Sequence, residues 1–113
     1  MAATPSDILK FAAAVHGTTP EQIKSISNDT ANRRARFLAA WGMRFYLSMT
    51  YRQISEVLNR RGRWSSRFLS GGNSYPKFRG DRSALIRFVR SLNLGLAPSL
   101  PGSPLRTDRT FER

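Results

Sequence analysis

Cysteine is absent from this 113-residue chain, and histidine occurs once, as His16. The absence of cysteine excludes disulfide bonds, thiol catalysis and cysteine-ligated zinc fingers. A lone histidine without clustered partners argues against a metal site. The seven acidic residues are scattered, and none forms a recognisable acid–base pair by spacing. We therefore expect that the protein is not an enzyme and that it binds no metal or other cofactor and no small-molecule substrate.

Long apolar runs are also missing from the sequence. No stretch approaches the roughly 20 apolar residues that a membrane-spanning helix needs. The N-terminus has no basic segment ahead of its apolar stretch, which Asp7 precedes, and this is unlike a secretory signal peptide. From these absences we expect a cytoplasmic protein without a membrane partner.

Acidic residues are scarce where basic residues are dense. Fourteen of the 19 basic residues fall within residues 33–90, where Glu56 and Asp81 are the only acids, and the formal net charge of the whole chain is +12. Arginine outnumbers lysine 16 to 3, and arginine binds phosphates and guanine edges bidentately. A basic helical segment of this kind is typical of nucleic-acid-binding proteins.

The spacing of apolar residues predicts an all-α fold of five to six short helices. Residues 1–5 are expected to be a disordered lead and residues 6–94 a helical DNA-binding domain. From Gly95 onward the composition shifts to proline, glycine and few large apolar groups. Residues 95–113 are therefore expected to be a disordered tail.

Local signals predict where several helices begin and which side chains face the core. Ser6 or Asp7 is expected to cap the first helix, and Asp81 the last. In the second helix, Ile23 and Ile26 are expected to face inward. The third helix is expected to carry a core stripe formed by Phe37, Leu38, Trp41 and Phe45.

Residues 50–69 have the layout of a helix-turn-helix. Thr50 and Gln53 form a capping box ahead of an amphipathic helix, Gly62 lies in the turn, and a short second helix follows. Helix-turn-helix proteins place the N-terminal end of the second helix in the major groove of DNA. Here that end is the segment RRGRWSSR, residues 60–67. Its arginines can clamp phosphates or guanines, and its serines can donate to phosphates or base edges.

The order of these segments resembles the C-terminal DNA-binding domain (domain IV) of the bacterial replication initiator DnaA, over residues 8–67. The segment ILKFAAAVHGTTPEQIKS is similar to the family's opening VAEYYG-x-x-x-DLLS pattern. MTYRQISEVLN is similar to LSLPEIGRAFG, and RRGRWSS stands at the signature GGRDHTTV. Arg34-Ala35-Arg36 lies where that family has a basic Arg-Pro-Arg segment at the start of a long helix that reaches into the minor groove.

Carried over residue by residue, the resemblance implies that Arg34 is a minor-groove arginine and that Arg61 is the signature arginine. Gly62, Arg63 and Trp64 stand where the initiator has an aspartate, a histidine and a threonine that contact bases. The resemblance therefore implies a base preference different from that of the initiator. The next two signature positions, a threonine and a valine, correspond to Ser65 and Ser66.

A stand-alone domain of this type with an extra C-terminal helix also resembles the DNA-binding part of the gene-transfer-agent activators (the GafA and GafY group). This resemblance implies a bacterial or phage-like transcriptional activator that binds a promoter and works with RNA polymerase or a partner activator protein. The sequence contains no GxxxxGK[ST] motif, so it is not expected to be an initiator ATPase.

Together these patterns predict a double-stranded DNA interface made of a basic arm (residues 33–36), the helix-turn-helix and the loop before the last helix. Cations at a helix start oppose the helix dipole, so the arginines of the arm suggest a use outside folding. Trp64 is expected to pack on Phe68, with a wedge against bases as the alternative. The predicted contact residues are Arg33, Arg34, Arg36, Thr50, Tyr51, Arg52, Arg60, Arg61, Arg63, Trp64, Ser65, Ser66, Arg67, Lys77 and Arg79.

Three other functions remain open from the sequence. An RNA-binding protein would bind structured RNA with an affinity equal to or higher than its affinity for DNA, using exposed aromatic side chains and contacts to the 2′-hydroxyl. A nucleoid protein would bind DNA without sequence preference and with strong salt dependence. A protein-interaction adaptor would use its helices or the tail on an acidic partner.

Overall fold

The structure is a computed structural model that describes residues 3–96 and residue 100. Over these residues the fold is all-α, as predicted, without strands. The described helices are α1 (Pro5–His16), α2 (Pro20–Ile23), α3 (Thr30–Tyr46), α4 (Tyr51–Val57), α5 (Trp64–Ser70) and α6 (Phe78–Asn93).

The central helix is α3, and each of the other five packs against it. Its inward face carries small and apolar side chains, among them Ala35 and Leu38, which are fully buried. A Cβ atom at Gly42 would lie 2.7 Å from Leu85 Cδ2 of α6 and 3.2 Å from Ile8 Cγ2 of α1. Gly42 therefore lets α1 and α6 approach α3 at the same level, which sets the position of α3 in the fold.

The aromatic stripe predicted on α3 is only partly right. Phe37 is buried, and its ring meets the ring of Phe78 edge-on at 5.0 Å. Trp41 is half-buried against the core. Phe45 is 59% exposed, so its assignment to the core is wrong. Its ring leans on Trp41 at 5.1 Å, but α3 ends one residue later and the packed stripe ends with it.

The cap of α1 is Thr4 and not Ser6 or Asp7. Thr4 Oγ1 accepts a hydrogen bond from the Asp7 backbone N–H at 3.2 Å, and the Asp7 carboxylate accepts one from the Thr4 N–H at 2.9 Å. This reciprocal capping box, with Pro5 at the first helical position, satisfies amides that have no partner inside the helix.

The expected disorder of residues 1–5 is wrong for residues 3–5. Ala3 is buried, and its N–H donates to Asn93 Oδ1 at 3.0 Å, so the start of the chain is tied to the end of α6. The predicted tail, residues 95–113, lies mostly outside the described residues. Within the described part, Leu100 packs against the core.

The last helix begins at Phe78, three residues before the predicted cap Asp81. Asp81 is instead the centre of a polar cluster. Its Oδ2 accepts a hydrogen bond from the Tyr75 hydroxyl at 2.8 Å and lies 3.3 Å from His16 Nε2. His16 Nε2 is also 3.1 Å from the Tyr75 hydroxyl oxygen. The cluster joins the end of α1 to the start of α6 through the buried Tyr75.

Stability is expected to fall as the pH is lowered through about 6.5, because burial lowers the pKa of His16 even though Asp81 opposes the shift. The unfolded chain then takes up the histidine proton before the folded chain does, which favours unfolding. Urea unfolding at about pH 7.5 and about pH 5.5 measures the effect. In the His16→Gln variant the loss between these pH values should be smaller, and an unchanged loss would contradict the account.

The α2–α3 loop (residues 24–29) contains Ile26, which was predicted to face the core. Helix α2 ends at Ile23, which is fully buried, whereas Ile26 is 93% exposed. The prediction that Ile26 faces the core is wrong because it assumed that the helix continues for one more turn.

Candidate nucleic-acid interface

The helix-turn-helix layout predicted for residues 50–69 is present as α4, a turn and α5. The capping box at Thr50 is confirmed: its hydroxyl accepts from the Gln53 N–H at 3.1 Å, and the Gln53 side chain accepts from the Thr50 N–H at 2.9 Å. In the turn, Asn59 and Gly62 adopt φ values of 59° and 56°. This left-handed conformation favours glycine and tolerates asparagine, so both residues suit the reversal of the chain.

A buried serine pair fixes α5 against α4. The hydroxyls of Ser55 and Ser65 are 2.9 Å apart, and the Ser65 hydroxyl also donates to the backbone oxygen of Tyr51. Both serines are essentially inaccessible. Ser65 was predicted to contact DNA, and this is wrong for the folded chain because its hydroxyl is used inside the protein.

Three arginines at the start and along the outer side of α5 project into solvent. Arg61, Arg63 and Arg67 are exposed. Among the described residues, their guanidinium groups have no hydrogen-bond or ion-pair partner. Unpaired cations concentrated on one rigid element attract a polyanion. These side chains occupy the place at which a helix-turn-helix presents its second helix to the major groove.

Two grooves flank α5. The α4–α5 groove has a volume of about 730 Å³, and its wall includes Tyr51, Arg52, Glu56, Arg63 and Ser66. The second groove, called here the basic groove, has a volume of about 530 Å³ and lies between the α2–α3 loop, the start of α3 and the α4–α5 turn. Its wall includes Ile26, Arg33, Arg60, Arg61 and Trp64.

The predicted basic arm of α3 does not point in one direction. Consecutive helical residues are rotated by about 100°, and here Arg33 is exposed, Arg34 half-buried and Arg36 buried. The Arg34 guanidinium lies 5.6 Å from the centre of the Tyr75 ring. Arg33 lines the basic groove. The structure therefore leaves Arg33 and part of Arg34 accessible to a ligand.

Arg36 was predicted to contact DNA, and its burial contradicts this. It is 1% exposed. Its guanidinium donates to the backbone oxygens of Ile23 at 2.8 Å and Ser27 at 2.9 Å, and more weakly to that of Ser25 at 3.3 Å. Burial, followed by the charges of Arg60 and Arg33, lowers the pKa of Arg36 to about 10. It stays charged at neutral pH and donates hydrogen bonds to the last carbonyl of α2, which helix geometry leaves without a donor, and to carbonyls of the α2–α3 loop.

Arg60 also serves the fold. One of its Nη atoms donates to the Ser25 backbone oxygen at 2.7 Å, and its guanidinium lies 5.4 Å from the centre of the Trp64 ring. Burial lowers the pKa of Arg60. Because this side chain ties the α4–α5 turn to the α2–α3 loop, its main role is to position the turn.

Trp64 packs as expected. Its ring stacks on Phe68 with centroids 4.5 Å apart and an angle of 17°, and Phe68 meets Phe37 edge-on at 5.9 Å. Trp64 is half-buried against the core. This aromatic contact, with the buried serine pair, makes α5 a firmly held element.

The remaining predicted contacts lie at other places on the surface. Tyr51 is exposed at the start of α4, with the Arg44 guanidinium 4.4 Å from its ring centre. Arg52 is exposed and only weakly paired with Glu56 at 3.9 Å. Lys77 and Arg79, next to the start of α6, are exposed as well. Ile26, predicted to face the core, lies exposed on the wall of the basic groove, and no local sequence pattern indicated this exposure.

The described residues hold no group of three or more side chains suited to binding a metal ion. Among the same residues no helix combines the length and the apolar character needed to cross a membrane. No family model matches the sequence, and searches of curated proteins and of solved structures find no similar chain.

Proposed function

We propose that this protein binds double-stranded DNA at specific sequences, with the N-terminal part of α5 in the major groove. The observation that carries the proposal is the set of unpaired, exposed arginines, Arg61, Arg63 and Arg67. Arg67 lies on α5, Arg63 immediately precedes it and Arg61 lies in the turn before it, and α5 is held by buried hydroxyls and stacked rings. Rigid presentation lowers the entropy lost when side chains are ordered against a ligand, which favours site-specific contact.

A second set of cations supports the same proposal. Arg33 lies on the wall of the basic groove together with Arg61, so the start of α3 and the turn before α5 present their charges to one surface. In DNA-binding proteins, phosphate contacts fix the register of the protein on the duplex, and base contacts specify the sequence. We assign Arg33 to phosphates and Arg63 to a base edge.

The DNA target is proposed to be a promoter, and the role to be transcriptional activation by a protein of the replication-initiator domain IV or gene-transfer-agent activator type. In this role the protein acts at the nucleoid in the cytoplasm, with RNA polymerase or a partner activator as a further partner. The quoted sequence resemblances are the support for this narrower assignment.

Selection from a random pool of duplexes at about physiological salt tests the proposal, because sequence-independent binding is weaker under these conditions. The expected result is one enriched motif, whose genomic positions fall at promoters. Tight binding without an enriched motif would contradict sequence-specific recognition and favour a nucleoid role.

RNA binding is a second candidate, favoured by exposed aromatic side chains. Phe45, Tyr46 and Tyr51 are 59%, 38% and 36% exposed, and single-stranded RNA readers stack bases on such rings. A competition experiment, in which structured RNA of equal length displaces the selected duplex from the protein, separates the two candidates. Displacement at an RNA concentration equal to or below that of competing duplex would favour RNA binding, and weaker competition by RNA would favour DNA binding.

The Arg34→Ala variant is expected to weaken binding most at sites flanked by an A·T-rich segment. Such segments have a narrow minor groove with enhanced negative potential that attracts arginine. Fluorescence anisotropy with two duplexes that differ only in this flank measures the difference. Arg33→Ala, the adjacent control, should weaken binding to both duplexes alike and reduce the slope of the salt dependence by about 1. Equal affinity of Arg34→Ala and the wild type on both duplexes would exclude a minor-groove role for Arg34.

A further inference from the structure

The α2–α3 loop is held by two arginines from different parts of the fold. Arg36 of α3 donates to the backbone oxygen of Ser27 at 2.9 Å, and Arg60 of the α4–α5 turn donates to that of Ser25 at 2.7 Å. Asn32 Nδ2 also donates to the Ser27 hydroxyl at 3.0 Å. The backbone is therefore fixed immediately before and immediately after Ile26.

Ile26 occupies the tip of this loop and is 93% exposed. A single exposed apolar residue is ordinary on protein surfaces. This one differs because the backbone on both sides is held by charged donors, and because a β-branched side chain has few rotamers. Little further conformational freedom is lost when such a side chain enters a binding site, so the loop presents Ile26 in a fixed position.

This apolar tip shares its groove with cations. Arg33 and Arg61, both exposed, share the basic groove with Ile26. A site for an apolar protein partner would be expected to show a contiguous apolar patch of a few hundred Å². An isolated apolar tip among arginines instead matches a polyanion with an apolar interior. Duplex DNA has this character, since minor-groove binders insert isoleucine and similar side chains between stacked base pairs.

We propose that Ile26 is an apolar wedge that enters the minor groove of the bound duplex and bends it. The proposal rests on the DNA-binding function proposed above. Arg33 and Arg61 bind phosphates near the inserted side chain, and the hydrogen bonds from Arg36 and Arg60 to the loop carbonyls resist its displacement. Wedges of this type bend DNA by about 20–90°.

Energy transfer between dyes at the two ends of a duplex of about 30 base pairs, carrying the selected site, measures the bend. The variants are Ile26→Ala, which removes the wedge, and Ile26→Leu, which keeps an apolar side chain of similar size. Leu94→Ala is the matched control, since Leu94 is an aliphatic residue 71% exposed on another part of the surface. Circular dichroism and urea unfolding are used to check that all three variants fold.

The wild type, Ile26→Leu and Leu94→Ala are expected to shorten the distance between the duplex ends. Ile26→Ala should lose most of this shortening while its affinity changes by less than about tenfold, because phosphate contacts supply much of the binding. A wild type that binds its site without bending it would overturn the wedge and leave the proposed function intact. Equal bending by the wild type and Ile26→Ala would also overturn the wedge. Failure of the wild type to select any site would overturn the proposed function itself, and the wedge with it.

Discussion

Replacement of Arg36 by methionine is expected to lower the free energy of unfolding by about 2–4 kcal/mol. Methionine fills a similar volume but donates no hydrogen bond. The variant therefore leaves the backbone oxygens of Ile23 and Ser27 without the donors that now lie at 2.8 and 2.9 Å. Losing hydrogen bonds from a charged donor outweighs the gain from no longer burying a charge, because the carbonyls at the end of α2 and in the α2–α3 loop stay in place without a donor.

Urea unfolding followed by circular dichroism measures this loss as a lower midpoint with an unchanged slope. Arg33→Met on the same helix is the matched control. Arg33 is exposed, and substitutions at exposed positions usually change stability by less than about 0.5 kcal/mol. Equal midpoints for Arg36→Met and Arg33→Met would show that the buried guanidinium does not hold the α2–α3 loop.

Arg63→Ala is expected to relax base preference at one position of the target site, with a loss of about 1–3 kcal/mol on the preferred sequence. Arg63 immediately precedes α5, is exposed, and lines the α4–α5 groove. An arginine at the start of a recognition helix can donate two hydrogen bonds to a guanine edge. Removing the Arg63 side chain should therefore lower the affinity for the preferred site more than the affinity for single-base variants of that site.

Affinities of wild type and Arg63→Ala for the selected duplex and for its single-base variants measure this effect. Arg87→Ala is the control, because Arg87 is exposed on α6, far along the chain from the helix-turn-helix. The control should preserve the ranking of the duplexes. Weakening of Arg63→Ala by the same factor on every duplex would assign Arg63 to a phosphate and exclude base contact.

Local signals predicted the parts of the fold that depend on neighbouring residues. The capping box of Thr50 and Gln53 marks the start of α4 correctly because both partners lie within one helical turn. The same logic misplaced the start of α6. Asp81 is a suitable cap by residue type, but its carboxylate instead contacts the Tyr75 hydroxyl in the preceding loop and the ring of His16, which is distant in sequence.

The sequence alone could not show which arginines are exposed to a ligand and which are buried in the fold. Arg33 and Arg36 have the same chemistry and lie in one helix, yet the first is exposed and the second buried. The difference arises because the tertiary fold places Arg36 next to the end of α2, where backbone carbonyls have no donor inside the helix and accept hydrogen bonds from Arg36 instead. The exposure of Ile26 has a similar origin, since its i, i+3 spacing from Ile23 indicates a shared helix face that the early end of α2 removes.

A ratio of two affinities tests whether α5 recognises a DNA sequence, as proposed. The measurement compares the selected duplex with a duplex of the same composition in scrambled order, at one fixed salt concentration near physiological. Sequence recognition by α5 should give a ratio of about 10³ or more, as found for site-specific binding proteins. A ratio within about tenfold, with steep loss of both affinities as salt is raised, would contradict it.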